Sequence, residues 1–222
     1  MKSYVLHVKF YSPLLIQHSP MLDSVVAFCL EHRSNDRQGY ITRNLGLDSS
    51  SLIFMKPIKD LILHHEDVAV VSELQFDTAI EFTDFSTKRF ENKFTNLADF
   101  GSARRRVHIQ GFWSRSRKTP VRCIVANYAH WYFIGDGQGV LDLLKKHLVG
   151  IGKRVDSGWG FISDIELQES DLSMTGILKM RPVPVTIADS IGITGPITLC
   201  AYKIPYWDRG SVSECVVPDA KL

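Results

Sequence analysis

The residues best suited to chemistry lie between Gly150 and Gly160, in the run Gly-Ile-Gly-Lys-Arg-Val-Asp-Ser-Gly-Trp-Gly. Glycine tolerates positive φ and lets a backbone come close to a ligand, and successive N–H groups in such turns form anion-binding concavities. Lys153 and Arg154 add positive charge, so the loop reads as a phosphate site shaped by Gly150, Gly152, Gly158 and Gly160. Trp159 suits either a stacking or a core role. Two known phosphate loops are excluded. The Walker pattern requires a glycine five places before Gly-Lys and a hydroxyl residue after it, but His147 and Arg154 stand there. The dinucleotide fingerprint requires a third glycine where Val155 stands, and the order strand, loop, helix; here a helical pattern leads in and a strand pattern leads out. The bland alternative is a glycine-rich turn joining two elements.

A second group precedes the loop. Arg104, Arg105 and Arg106 are followed by Phe112, Trp113, Arg115, Arg117 and Lys118, and no Asp or Glu occurs from Gly101 to Gly135. Cations interleaved with aromatic rings suit single-stranded nucleic acid, the cations following phosphates while the rings stack on bases. The alternative is a surface hairpin whose rings pack back on the body.

The eight histidines are scattered at 7, 18, 32, 64, 65, 108, 130 and 147. A metal-independent ribonuclease needs a general base and a general acid, and His18 and His108 are the candidates. No constellation fixes either one. Adjacent His64 and His65 point apart in any regular element and make a poor metal pair. The four cysteines, Cys29, Cys123, Cys200 and Cys215, form no Cys-x-x-Cys pair, which reads as reduced thiols in a cytoplasmic protein without a zinc site. No catalytic residue, metal ligand or cofactor is assigned.

At 222 residues, with 45% hydrophobic and 23% charged residues, the chain can bury a proper core. It has no apolar run of membrane-spanning length and no signal-peptide core at its start. The net charge of +2 conceals an asymmetry: −3 over residues 1–100, +8 over 101–160 and −3 over 161–222. A basic middle between acidic ends is the footprint of a local polyanion site.

The elements follow from periodicity. Residues 3–11 alternate as a strand, with Tyr4, Leu6, Val8 and Phe10 on one face. Residues 21–33 place Leu22, Val25, Val26, Cys29 and Leu30 at helical spacing, and residues 34–50 read as a loop. Residues 52–58 and 68–76 read as strands. From 77 to 122 regularity dissolves into a long insertion, of a kind that is usually functional. Residues 122–134 are a strand and 138–149 an amphipathic helix, with Val140, Leu141, Leu144 and Leu148 inward and Gly150 as its C-terminal cap. Residues 161–167 form a further strand. The fold class is α+β: a ferredoxin-like, RRM-like βαββαβ domain over residues 1–170 with a long β-hairpin thumb inserted at about 77–122. Residues 171–222 add a small β extension built from 176–187 and 197–204, with the tail from 205 as a loop.

These motifs resemble the RAMP superfamily of CRISPR proteins, through the helix, the Gly-x-Gly-Lys-Arg-x-x-x-Gly-Trp-Gly loop and the closing strand. The segment Pro20-Met21-Leu22-Asp23-Ser24-Val25-Val26-Ala27 is similar to the first-helix motif of the type IV subunit that caps the guide RNA. Ile134-Gly135-Asp136 and Pro205-Tyr206-Trp207, followed by Cys215 and Pro218, fit the same family. The resemblance implies a non-catalytic, CRISPR RNA-binding subunit of a ribonucleoprotein effector complex in antiviral or anti-plasmid defence. Such a subunit grips the repeat-derived five-prime handle, caps a filament of backbone subunits, and meets a large-subunit-like protein near the target DNA's flanking motif. Asp156 departs from the family pattern and weakens phosphate contact locally. Two other readings stand beside this one: a metal-independent endoribonuclease processing CRISPR repeats, and an interaction protein whose basic hairpin docks an acidic partner.

Overall fold

The computed structural model describes residues 1–35, 55–88 and 117–218. It is a mixed α/β structure with antiparallel sheets. The main sheet has four strands in the order β5-β8-β1-β9, where β1 is Lys2–Phe10, β5 is Gln75–Phe76, β8 is Tyr128–Gly135 and β9 is Ile162–Glu169. Alternation orients β1 as its sequence requires: Leu6, Val8 and Phe10 are buried, while Lys9 is exposed. Two helices, α1 (Leu22–Asn35) and α3 (Gly137–His147), join the core that these residues form with Ala129, Trp131, Phe133 and Ile165. Leu22, Val25, Val26, Cys29 and Leu30 of α1 are all buried. In α3, Val140, Leu143 and Leu144 are buried; Leu143, not Leu141, takes the deeper place. Asp136 caps α3 by accepting from Gly139 N at 3.1 Å.

Four expectations are corrected. The strand expected at 52–58 is instead, from residue 55 on, the helix α2 (Met55–Leu61). Ile58 and Ile62 are both fully buried one helical turn apart, and Pro57 falls in the first turn, where a missing N–H costs nothing. The strand expected at 68–76 is broken into β4 (Val68–Ala69), paired with β3 (His64–His65), and β5. Val71 bridges Phe133 and Gln75 pairs with His130, so the register slips by one residue between them. The slip lets Glu73 N donate to Met180 O at 3.0 Å, which ties this edge to the C-terminal segment. Gly150 is not the cap of α3. The helix ends through Leu148, whose N–H donates to Leu144 O at 2.8 Å before the chain extends and buries the Leu148 side chain.

The fourth correction concerns the C-terminal segment. Residues 176–187 are mostly helical, in α4 (Met174–Leu178) and α5 (Val185–Ser190) around the two-residue strand β10 (Val183–Pro184). The tail expected as a loop supplies β12 (Val212–Val216), the middle strand of a three-stranded sheet ordered β10-β12-β11, where β11 is Ile197–Ala201. Cys215 and Val216 are buried on β12, and a five-residue span with only two inward apolar residues carries too little alternation to announce a strand. A second apolar cluster joins Ile177, Leu178, Val183, Ile187 and Val216 to Val68, Val70 and Ile134.

Where the α1 start meets this segment, a buried polar cluster forms. Arg181 (1% exposed) and Asp23 (2% exposed) lie 3.4 Å apart. The Arg181 guanidinium also donates to Ala69 O at 2.7 Å, to Tyr206 Oη at 3.0 Å and to Tyr202 O. Tyr206 Oη donates to the Asp23 carboxylate at 2.7 Å. Burial pulls the Arg181 pKa down, but Tyr206 and Asp23 more than offset it, and the guanidinium stands above its usual value. Burial, reinforced by Asp23, pushes the Tyr206 phenol well up, so it remains a donor.

His64 sits half-buried with Nδ1–H donating to Ile62 O at 2.9 Å. Burial lowers its pKa below the ordinary 6.5. A group harder to protonate in the folded state contributes stability that is full above its unfolded pKa and is lost as pH falls below it. Chemical denaturation of wild type and His64→Gln should therefore show a smaller loss in the variant between pH 6.5 and pH about 5.

Candidate nucleic-acid interface

Residues 150–160 fold over the start of the chain. Ile151 N donates to Gly160 O at 2.9 Å, Gly160 N to Pro13 O at 2.7 Å, and Lys153 N to Leu15 O at 2.8 Å. Phe161 N donates to Ser12 Oγ at 2.9 Å. Val155–Ser157 form a 3-10 turn flanked by Arg154 (φ 60°) and Gly158 (φ 91°), both left-handed. Gly160, at φ 64°, admits no side chain, since a Cβ would lie 1.9 Å from Ile151 O. At Gly158 a Cβ would meet nothing within 4 Å.

Most loop amides are thus engaged: Ile151, Lys153, Ser157, Gly158, Trp159 and Gly160 all donate to backbone carbonyls. What the loop presents outward is side-chain charge. Lys153 and Arg154 are exposed, and Lys153 Nζ donates to Gln17 Oε1 at 2.8 Å, a neutral partner that leaves its charge uncompensated. Trp159 is half-buried, and Asp156 is exposed and accepts from Ser157 Oγ at 3.4 Å.

The same segment under the loop holds a third sheet, ordered β2-β7-β6. In it β2 (Leu14–Leu15) pairs with β7 (Arg117–Val125), which pairs over nine residues with β6 (Ile80–Lys88). Lys153 N and Ile124 therefore grip the same two-residue strand from different sides. Between them lies a groove of about 370 Å³, lined in part by Gln17, Thr83, Thr119, Arg122, Lys153 and Arg154.

Register extends the groove along the ribbon. Phe85 pairs with Pro120, Thr83 with Arg122 and Glu81 with Ile124, so these side chains and that of Lys118 share one face. Lys118 Nζ lies 4.2 Å from the centre of the Phe85 ring, a cation–π contact on a ring 47% exposed. From Lys118 to Arg122 the strand rises about 13 Å. Arg122 is held by Glu81 through two hydrogen bonds of 2.6 and 2.7 Å; the pair raises the Arg122 pKa and lowers that of Glu81. Arg122 is thus part-neutralised by a carboxylate, while the described partner of Lys153, Gln17, is neutral.

Of the residues singled out from sequence, Gly150, Gly152, Lys153, Arg154, Gly158, Trp159 and Gly160 lie in the loop, and Arg117 and Lys118 begin β7. Arg104, Arg105, Arg106, Phe112, Trp113, Arg115 and His108 lie outside the described residues. His18 is exposed, one residue after Gln17, and no described histidine lines the groove. Among the described residues no group of three or more His, Cys, Asp or Glu is gathered for a metal, and no helix is long and apolar enough to cross a membrane. Sequence reasoning missed Gln17, Thr83, Thr119 and Arg122. Only Arg122, within the acid-free stretch, carried a signal that could have marked it.

Residues 110–218 match the family described as CRISPR type IV associated protein Csf3. That stretch, just under half of the chain, is similar to the Csf3 family. The match spans β8, α3, the glycine loop, β9 and the whole second sheet. No curated protein matches the chain. Among solved structures, the chain is similar to one from "Cryo-EM structure of the Type III-B Cmr-beta bound to cognate target RNA", at 10% identity and a TM-score of 0.37. That likeness covers 76% of this chain and 61% of the other, so the chain spans about three-fifths of that one's length. A likeness so loose carries no weight for fold or function.

Proposed function

We propose that this protein is a non-catalytic RNA-binding subunit of a type IV CRISPR effector complex, holding the repeat-derived five-prime handle of the CRISPR RNA. The observation that carries the reading is the groove, where Lys153, Arg154 and Arg122 converge from two separate elements beside a ribbon face bearing Lys118 on Phe85. Charge in a channel with aromatic surface beside it suits a single strand, the phosphates meeting side-chain cations rather than loop amides. In this reading β6 and β7 are the base of the thumb. The β5-β8-β1-β9 order with α1 and α3 supports a ferredoxin-like body. The backbone filament subunit and a large-subunit-like protein are its partners, with target DNA near the flanking motif.

Labelled repeat-derived RNA, mixed with purified protein without metal and run on native and denaturing gels, tests the reading. A salt-sensitive shift with uncut RNA is expected. Replacing Lys153 and Arg154 by alanine should lower affinity about tenfold or more and flatten log K against log salt by about 1.4, the share of two phosphate contacts on a single strand. Equal affinity and equal slope for wild type and variant would remove the groove from the site. A shorter RNA product, lost in His18→Ala, would replace this reading with the nuclease one.

A further inference from the structure

The second sheet leaves one of its edges undefended. β11 is an outer strand of the order β10-β12-β11. Pro196 O accepts from Val217 N at 2.9 Å, and Tyr202 N donates to Ser211 O at 3.1 Å. Antiparallel alternation then turns the N–H and C=O groups of Thr198 and Cys200 toward β12, and those of Ile197, Leu199 and Ala201 outward, where no described strand lies.

Two of the outward-bonding residues also carry exposed apolar side chains. Ile197 is 60% and Leu199 70% exposed. In register, Leu199 faces Glu214 and Ala201 faces Val212, itself 40% exposed. From 197 to 201 there is no charge and no proline. The contrast within the molecule is β9, the outer strand of the main sheet, which carries Asp164, Glu166 and Glu169. Charged residues on an outer strand deter pairing, whereas an apolar, uncharged edge is a template for it. β11 is also held rigidly, because its neighbour β12 anchors Cys215 and Val216 in the interior.

We propose that β11 receives an extended segment of another protein of the effector complex by strand addition. Backbone groups of Ile197, Leu199 and Ala201 supply the ladder. Alternate apolar side chains of the segment cover Ile197, Leu199 and Val212, and a Lys or Arg reaches Glu214. Glu214 is the one charged residue of β11 and β12, so the complementary charge is positive. A second copy of this chain is a poorer occupant. Three apolar side chains and one five-residue edge fall well short of the roughly 1,200 Å² that a stable stand-alone interface buries, so the segment belongs to a partner anchored elsewhere as well.

The existence of that partner rests on the effector-subunit reading. The test uses the complex assembled by co-expression with the other subunits, and amide exchange read residue by residue. In the free chain Thr198 and Cys200 should exchange slowly and Ile197, Leu199 and Ala201 quickly. On assembly the latter three should slow at least tenfold. Leu199→Pro removes an outward N–H that the β12 ladder does not use, and Leu199→Lys charges the edge with the backbone intact. Both should weaken incorporation at least tenfold while leaving the melting temperature and the RNA shift unchanged. An assembled complex with β11 exchange unchanged overturns this proposal alone. Concentration-dependent dimers of the free chain protecting the same amides overturn it in favour of a second copy. Failure of the wild-type chain to join any complex overturns the effector-subunit reading with it.

Discussion

Replacing Arg181 by methionine is expected to destabilise the protein by about 3–5 kcal/mol, the cost of leaving a buried carboxylate without its cation. Asp23 is 2% exposed and would retain only Tyr206 Oη and the Ser24 N–H, at 2.7 and 2.8 Å. Methionine fills most of the arginine's volume, so the loss reflects charge rather than a cavity. For a chain of this size, the melting temperature should fall by about 10 °C. Tyr206→Phe should cost less, about 1–3 kcal/mol, since one donor is lost and the ion pair survives. The double variant Arg181→Met, Asp23→Leu removes both charges and should recover much of the loss. Urea denaturation of the four proteins checks the order. A double variant no better than Arg181→Met would show that packing, not the unpaired carboxylate, sets the cost.

The second large effect is expected at Gly160. An alanine Cβ would lie 1.9 Å from Ile151 O, and φ is 64°, so both steric overlap and the left-handed penalty apply. Gly160 N and O hold Pro13 and Ile151, and any shift that frees the Cβ loosens the loop from the segment beneath it. Gly160→Ala should cost about 2–4 kcal/mol. It should also weaken RNA binding, by displacing Lys153 and Arg154 from the groove. Gly158→Ala is the control: its Cβ meets open space, so only the left-handed backbone is penalised, at about 1–2 kcal/mol. Thermal melts and gel shifts of both variants decide the matter. Equal behaviour would mean that the loop does not depend on the close approach of Gly160 to Ile151.

The parts legible in the sequence were those with sustained periodicity. Leu6, Val8 and Phe10 alternate, and Leu22, Val25, Val26, Cys29 and Leu30 repeat at helical spacing; all are buried as the pattern requires. Short apolar runs were not legible. Ile58, in a seven-residue helix, and Ile62, the residue just after it, lie one turn apart, a span in which strand and helix patterns are hard to separate. The loop was legible as a glycine-rich turn carrying exposed cations, but not that its glycines serve close backbone packing. That depends on Pro13 and Leu15, which lie well over a hundred residues away in sequence. Arg122 was hidden for a similar reason, since its orientation comes from Glu81 across the ribbon. Two motifs behind the family resemblance, Pro20-Met21-Leu22-Asp23 and Pro205-Tyr206-Trp207, meet in space through Asp23, Tyr206 and Arg181. Arg181, which joins them, lay in a stretch that announced nothing.

The polar latch between α1 and the C-terminal segment also bears on how the chain is made. Asp23 leaves the ribosome 158 residues before Arg181 and 183 before Tyr206. Until Arg181 has emerged, α1 cannot settle into its final place without burying a lone carboxylate, which is unfavourable. Early α1 is thereby kept in a provisional setting, and closure of the N-terminal layer waits for the strands that follow. A product of interrupted translation that stops before Arg181 would be left open and exposed to proteolysis. The latch thereby ties closure of the N-terminal layer to arrival of the C-terminal segment.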